Sequence, residues 1–188
     1  MKTLVIHPDD RTTDFLKHIY EGKGYDVITE RSDRQIPMSK IIEEVRNHDR
    51  ILMLGHGCSF GLLGFCDTFM NKEFIEVLRT KECVCIWCNA NNYVEREGIK
   101  GFYTGMFISE VGEARAYGIT IDQEKVTYSN ELFGELMGTM VESPNVLNEI
   151  KTSYIGECPV IKFNNERLYY KNDNIKVKKQ YDKQFLIF

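Results

Sequence analysis

Long apolar runs are missing from this sequence, and so is any excess of basic residues. Apolar stretches such as 51–54 (ILML) and 83–87 (CVCIW) fall far short of the roughly 20 residues needed to cross a bilayer. The opening MKTLVIHPDD breaks at Pro8, too early for the apolar core of a secretory signal. A cytoplasmic protein without a membrane partner is therefore expected. With 24 Lys and Arg against 28 Asp and Glu, the formal net charge is -4, which leaves no basic stripe for phosphates. Nucleic acid is not an expected partner. Paired CxxC motifs are also lacking: the six cysteines contain a single CxxC, Cys85 to Cys88, and its first thiol lies inside an apolar run rather than at a helix start. Zinc needs four convergent ligands. His56, Cys58, Cys66 and Cys88 have the chemistry, but no spacing enforces it, so neither a metal nor a cofactor is expected. There is no repeat, low-complexity tract or Pro-rich linker, and residues 1–188 read as one domain.

What is present is enough apolar material for a core, 43% of residues, with 28% charged residues to solvate the surface. Strands are expected at 3–6, 25–29, 50–54, 83–87 and 102–108, each short and apolar. Helices are expected at 14–21, 39–47 with Ser39 as N-cap, 71–79, 110–117 and 129–141. Residues 60–64 read as a small turn-back. Near the end, 160–163 and 168–170 flank Asn164-Asn165-Glu166-Arg167 as a β-hairpin, and with the charged tail they make up the C-terminal part, about 155–188. Strands alternating with helices imply a three-layer αβα sandwich around a mostly parallel sheet.

In such a sheet, ligands gather beyond the carboxyl ends of the strands. The strand ending at Leu54 delivers Gly55-His56-Gly57, and the strand ending at Trp87 delivers Cys88-Asn89. One crossover helix joins these strands, so they are expected to be neighbours about 4.8 Å apart. A thiolate with an imidazole beside it can attack a carbonyl carbon, and backbone N–H groups can hold the oxyanion. Gly57 and Cys88 are candidate N–H donors.

These two blocks resemble the caspase-like cysteine peptidases. Residues 51–64 (ILMLGHGCSFGLLG) are similar to the His-Gly block followed by a glycine-punctuated hairpin, and residues 83–90 (CVCIWCNA) to the Cys block of caspases, gingipains, separases and CHAT-domain peptidases. Trp87 stands where that family usually has a small residue. The resemblance implies a caspase-like fold, Cys88 as nucleophile, His56 as its partner, Gly57 as oxyanion donor and a peptide or protein as substrate. An inactive, caspase-like binding domain is the alternative.

Two further segments carry carboxylates at strand ends. His7-Pro8-Asp9-Asp10 fits a metal or an amine, but is also ordinary turn and cap chemistry. Residues 110–118 (EVGEARAYG) resemble the Glu-containing helix start of nucleoside deoxyribosyltransferases, which implies Glu110 or Glu113 as a nucleophile on an N-glycosidic bond.

Overall fold

Short runs buried on both faces form the strands, as expected of a parallel sheet covered on each side. In this computed structural model, which describes residues 1–172, they are β1 (Thr3–Ile6), β2 (Asp26–Ile28), β3 (Arg50–Leu54), the two-residue strands β4 (Gly57–Cys58) and β5 (Gly61–Leu62), β6 (Glu82–Ile86), β7 (Gly101–Thr104) and β8 (Leu168–Lys171). Between them lie a 3-10 helix (Arg11–Ile19), α1 (Met38–Arg46), α2 (Cys66–Met70), α3 (Lys72–Leu78), α4 (Ala90–Glu97), α5 (Val111–Ala116), α6 (Gln123–Met140), α7 (Val146–Ser153) and α8 (Pro159–Glu166). The main sheet runs β2-β1-β3-β6-β7-β8. The first five strands are parallel, and β8 pairs antiparallel with β7.

Side-chain alternation along each strand divides the core in two. Leu4, Ile6, Ile51, Met53, Cys83 and Cys85 pack under α1 to α4. Val5, Leu52, Leu54, Val84 and Ile86 pack under the 3-10 helix, α6, α7 and α8. This is the three-layer α/β sandwich that alternating elements imply. No helix among the described residues is long and apolar enough to cross a membrane.

Several boundaries differ from the sequence reading, each for a local reason. The C-terminal hairpin is absent as drawn: its first arm, 160–163, lies inside α8. Pro159 occupies the first helical turn, where its missing N–H costs nothing, and Val160, Ile161 and Asn164 are buried at helical spacing. The second arm exists as β8, but its partner is β7. The charged tail from 173 lies outside the described residues. Helix α1 starts at Met38 with Pro37 before it, so Ser39 is not its cap. Strand β7 ends at Thr104 rather than at 108: Gly105 N–H still donates to the Arg167 carbonyl (2.8 Å), the next pair in the β7–β8 register, and residues 106–110 then form a loop. The turn-back at 60–64 is a narrow ribbon in which Gly57 faces Leu62 and Cys58 faces Gly61.

That loop after β7 is held by one buried amide. Asn164 on α8 accepts from Ile108 N–H (2.8 Å) and donates through Nδ2 to the Ile108 carbonyl (2.9 Å) and to Tyr154 Oη (3.3 Å). Asn164→Leu leaves both backbone groups of Ile108 buried without partners, each costing about 1–3 kcal/mol. Urea unfolding is expected to show a loss of about 3 kcal/mol; a loss under about 1 kcal/mol contradicts the clamp.

Candidate functional site

The carboxyl ends of β1, β3, β6 and β7 meet along one edge of the sheet. Strand β1 delivers His7, which is buried with its ring between Tyr20 Oη (2.9 Å) and Thr13 Oγ1 (3.0 Å). Burial, helped by Lys17, lowers its pKa to about 4. Asp10 caps the 3-10 helix by accepting from Thr12 N–H (3.0 Å). His7-Pro8-Asp9-Asp10 therefore does turn and cap work. Among the described residues no three His, Cys, Asp or Glu side chains are placed to hold a metal, so His56, Cys58, Cys66 and Cys88 do not converge on one.

His56 and Cys88 emerge from adjacent parallel strands, with Leu54 beside Ile86 in the register. Both line one crevice, together with Phe15, Phe107 and Ser109. Their hydrogen bonds lead away from each other. His56 Nε2 lies 2.6 Å from Thr12 Oγ1, whose own proton goes to Asp10 Oδ1 (2.7 Å). Asp10 has no proton to return, so Nε2 carries the hydrogen and donates to Thr12. Cys88 Sγ donates to the Phe107 carbonyl (3.3 Å) and lies 3.5 Å from Glu113 Oε1. Burial first, and then the Glu113 carboxylate, push the Cys88 thiol up to about 12. The crevice encloses about 10 Å³, room for roughly one water.

The residue types around this crevice have packing reasons. A Cβ on Gly57 would stand 2.2 Å from Trp87 Cδ1, so glycine is required by the indole that covers it. Trp87 is buried and donates Nε1–H to the Cys58 carbonyl (3.0 Å), pinning the β4–β5 ribbon to the sheet. After Cys88, Asn89 takes the left-handed conformation (φ 64°) and donates its N–H to the Gly105 carbonyl (3.0 Å). Asparagine tolerates that region better than most residues.

The larger opening adjoins this crevice and shares Phe15 and Ser109 with it. It is a cleft of about 470 Å³ between the 3-10 helix, the loop after β7 and the first turns of α6. Three carboxylates line it. Asp14 pairs with Lys17 (2.6 Å) and Glu131 with His18 (2.7 Å). Glu110 has no cation beside it among the described residues; it is exposed and joined to Glu113 in a capping box across the start of α5. The two glutamates divide the work. Glu113 Oε2 accepts from Ser109 N–H (2.8 Å) and Glu110 N–H (3.2 Å), while its other oxygen faces Cys88. The sequence reading did not find Arg11, Thr12 or Asn130, which also line the cleft. The available signal was the polar pair Ser129-Asn130, both buried, at the start of the apolar face of α6.

No family model and no curated protein matches the sequence. Two solved structures are similar over most of their own length. The Trp repressor binding protein from Bacillus subtilis is 11% identical, with a TM-score of 0.42 over 70% of this chain and 97% of that one. A flavodoxin from the domain Archaea is 15% identical, with a TM-score of 0.38 over 68% of this chain and 99% of that one. At these scores the likenesses carry no argument about function.

With burial and the Glu113 carboxylate raising its pKa, the Cys88 thiol stays protonated at pH 8. Iodoacetamide labelling read by peptide mass spectrometry is expected to modify Cys88 at least about tenfold more slowly than the half-buried thiol of Cys58 in β4, with little change in His56→Ala. Preferential, His56-dependent labelling of Cys88 would instead support a catalytic dyad.

Proposed function

We propose that the chain cleaves or exchanges the N-glycosidic bond of a small nucleoside-like molecule, with Glu110 as the nucleophile. The observation that carries this reading is the exposed carboxylate of Glu110 on the wall of a wide cleft at the carboxyl edge of the sheet. The run 110–118, similar to the glutamate-bearing helix start of nucleoside deoxyribosyltransferases, points the same way. In the first step a Glu110 oxygen bonds to the anomeric carbon and the C–N bond breaks. Its electron pair leaves on the base nitrogen, which takes a proton from solvent. In the second step water or another base attacks the anomeric carbon, gives up a proton to solvent and frees the carboxylate. Glu113 is a positioning residue in this scheme, because its carboxylate is engaged by the Ser109 and Glu110 N–H groups and by the Cys88 thiol, whereas Glu110 is exposed and takes only the Glu113 N–H of the capping box.

A cysteine peptidase on a caspase-like scaffold is the second reading. It draws on the shared crevice of His56 and Cys88 at neighbouring strand ends. It requires that crevice to widen around a substrate carbonyl and Glu113 to leave the thiol, whereas the glycosidic reading uses the cleft as it stands. A caspase-like binding domain without catalysis requires neither change and predicts no turnover in either assay.

Incubation with a panel of ribo- and 2′-deoxyribonucleosides, followed by chromatography of free base, tests the first reading. Base release is expected from the wild type, with a fall of about 10²–10⁴-fold in Glu110→Ala. No release from any nucleoside, or equal release by the variant, overturns it.

A further inference from the structure

We propose that the substrate of this cleft is a glycoside whose base is already cationic, an N-ribosylpyridinium, because the wall presents a nucleophile but no proton for a departing base. This rests on the reading that Glu110 attacks an anomeric carbon.

The base of an ordinary nucleoside leaves with the electron pair of the C–N bond and must gain a proton. A positioned acid that supplies it is worth about 10²–10⁴-fold in rate. Among the described residues the wall holds no such acid. Asp14 is paired with Lys17 (2.6 Å) and Glu131 with His18 (2.7 Å), so both carboxylates act as acceptors. Glu113, beside Glu110 in the capping box, accepts from Ser109 N–H, Glu110 N–H and the Cys88 thiol. Arg11 lines the cleft but does not give up a proton near neutral pH. The nearby proton carriers are committed elsewhere: His56 donates to Thr12, and Cys88 to the Phe107 carbonyl in the narrow crevice.

The charge of the wall points the same way. Asp14, Glu110 and Glu131 line the cleft against one guanidinium, Arg11, while Lys17 and His18 do not line it. Negative charge growing on a departing base is opposed by such a wall, and positive charge is stabilised. With a pyridinium base the step balances without an acid. A Glu110 oxygen bonds to the anomeric carbon, the C–N bond breaks, and its electron pair cancels the positive charge of the ring nitrogen. The base departs neutral. Water then attacks the anomeric carbon, releases one proton to solvent and frees the carboxylate. Positive charge thus passes from the base toward the anomeric carbon, beside the Glu110 carboxylate. The discrimination lies in breaking the bond, so neutral nucleosides bind the same cleft and are cleaved slowly. At about 470 Å³ the cleft is large enough for a nucleoside.

The test compares N-ribosylnicotinamide with adenosine, guanosine and cytidine, reading free base by chromatography as kcat/KM from pH 6 to pH 8, with the rate in buffer alone subtracted. The pyridinium is expected to exceed each neutral nucleoside at least about 100-fold, and its kcat/KM is expected not to fall toward pH 8, since no acid has a proton to lose. A smaller excess over any neutral nucleoside, or a fall toward pH 8, overturns the proposal: a positioned acid then serves the departing base, and the Glu110 reading stands without it. Release from no nucleoside, or equal release by Glu110→Ala, overturns both.

Discussion

The double hydrogen bond between Asn164 and Ile108 holds the arrangement at the carboxyl edge in place. Beyond Gly105 the chain leaves the sheet, and its backbone groups must find partners elsewhere or be buried without them. Asn164, fully buried on α8, takes both the N–H and the carbonyl of Ile108. The residues on either side then fall into fixed places. The Phe107 carbonyl meets Cys88, the Ser109 carbonyl meets Asn130, and Glu110 opens α5 at the wall of the cleft.

That placement gives a thiol and a carboxylate at neighbouring strand ends opposite fates. Cys88 sits in a space of about 10 Å³ beside the Glu113 carboxylate, and both burial and the neighbouring negative charge disfavour the thiolate. Glu110 stands exposed at an opening of about 470 Å³. Glu113 accounts for both outcomes: one oxygen is spent on the thiol, the other on the backbone N–H groups that set the start of α5. Trp87 contributes from the other face of the sheet, covering Gly57 and pinning the ribbon through Cys58.

Much of this frame was legible in the sequence. ILML and CVCIW are buried on both faces, and only central parallel strands are, so β3 and β6 could be read as neighbours with His56 and Cys88 at their ends. What escaped was contact over distance. Cys88 and Glu113 are 25 residues apart, Asn130 and Ser109 are 21, and Ile108 and Asn164 are 56. No local periodicity encodes such pairings. The misread hairpin has a simpler cause: Asn164-Asn165-Glu166-Arg167 looks like a turn, but Pro159 had already signalled a helix start, and the buried spacing of Val160, Ile161 and Asn164 carries the helix through. Gly57 was read as an oxyanion donor because glycine lets a substrate approach; its neighbour is the indole of Trp87.

The claim that the working surface is the Glu110 cleft rather than the His56–Cys88 crevice is tested most directly by a backbone and side-chain amide NMR titration with a nucleoside such as adenosine. The account predicts saturable shifts at Gly112, Thr127 and the Asn130 side-chain amide, with Gly57 and Asn89 unmoved. Shifts confined to Gly57 and Asn89, or none at any amide at saturating nucleoside, would contradict it.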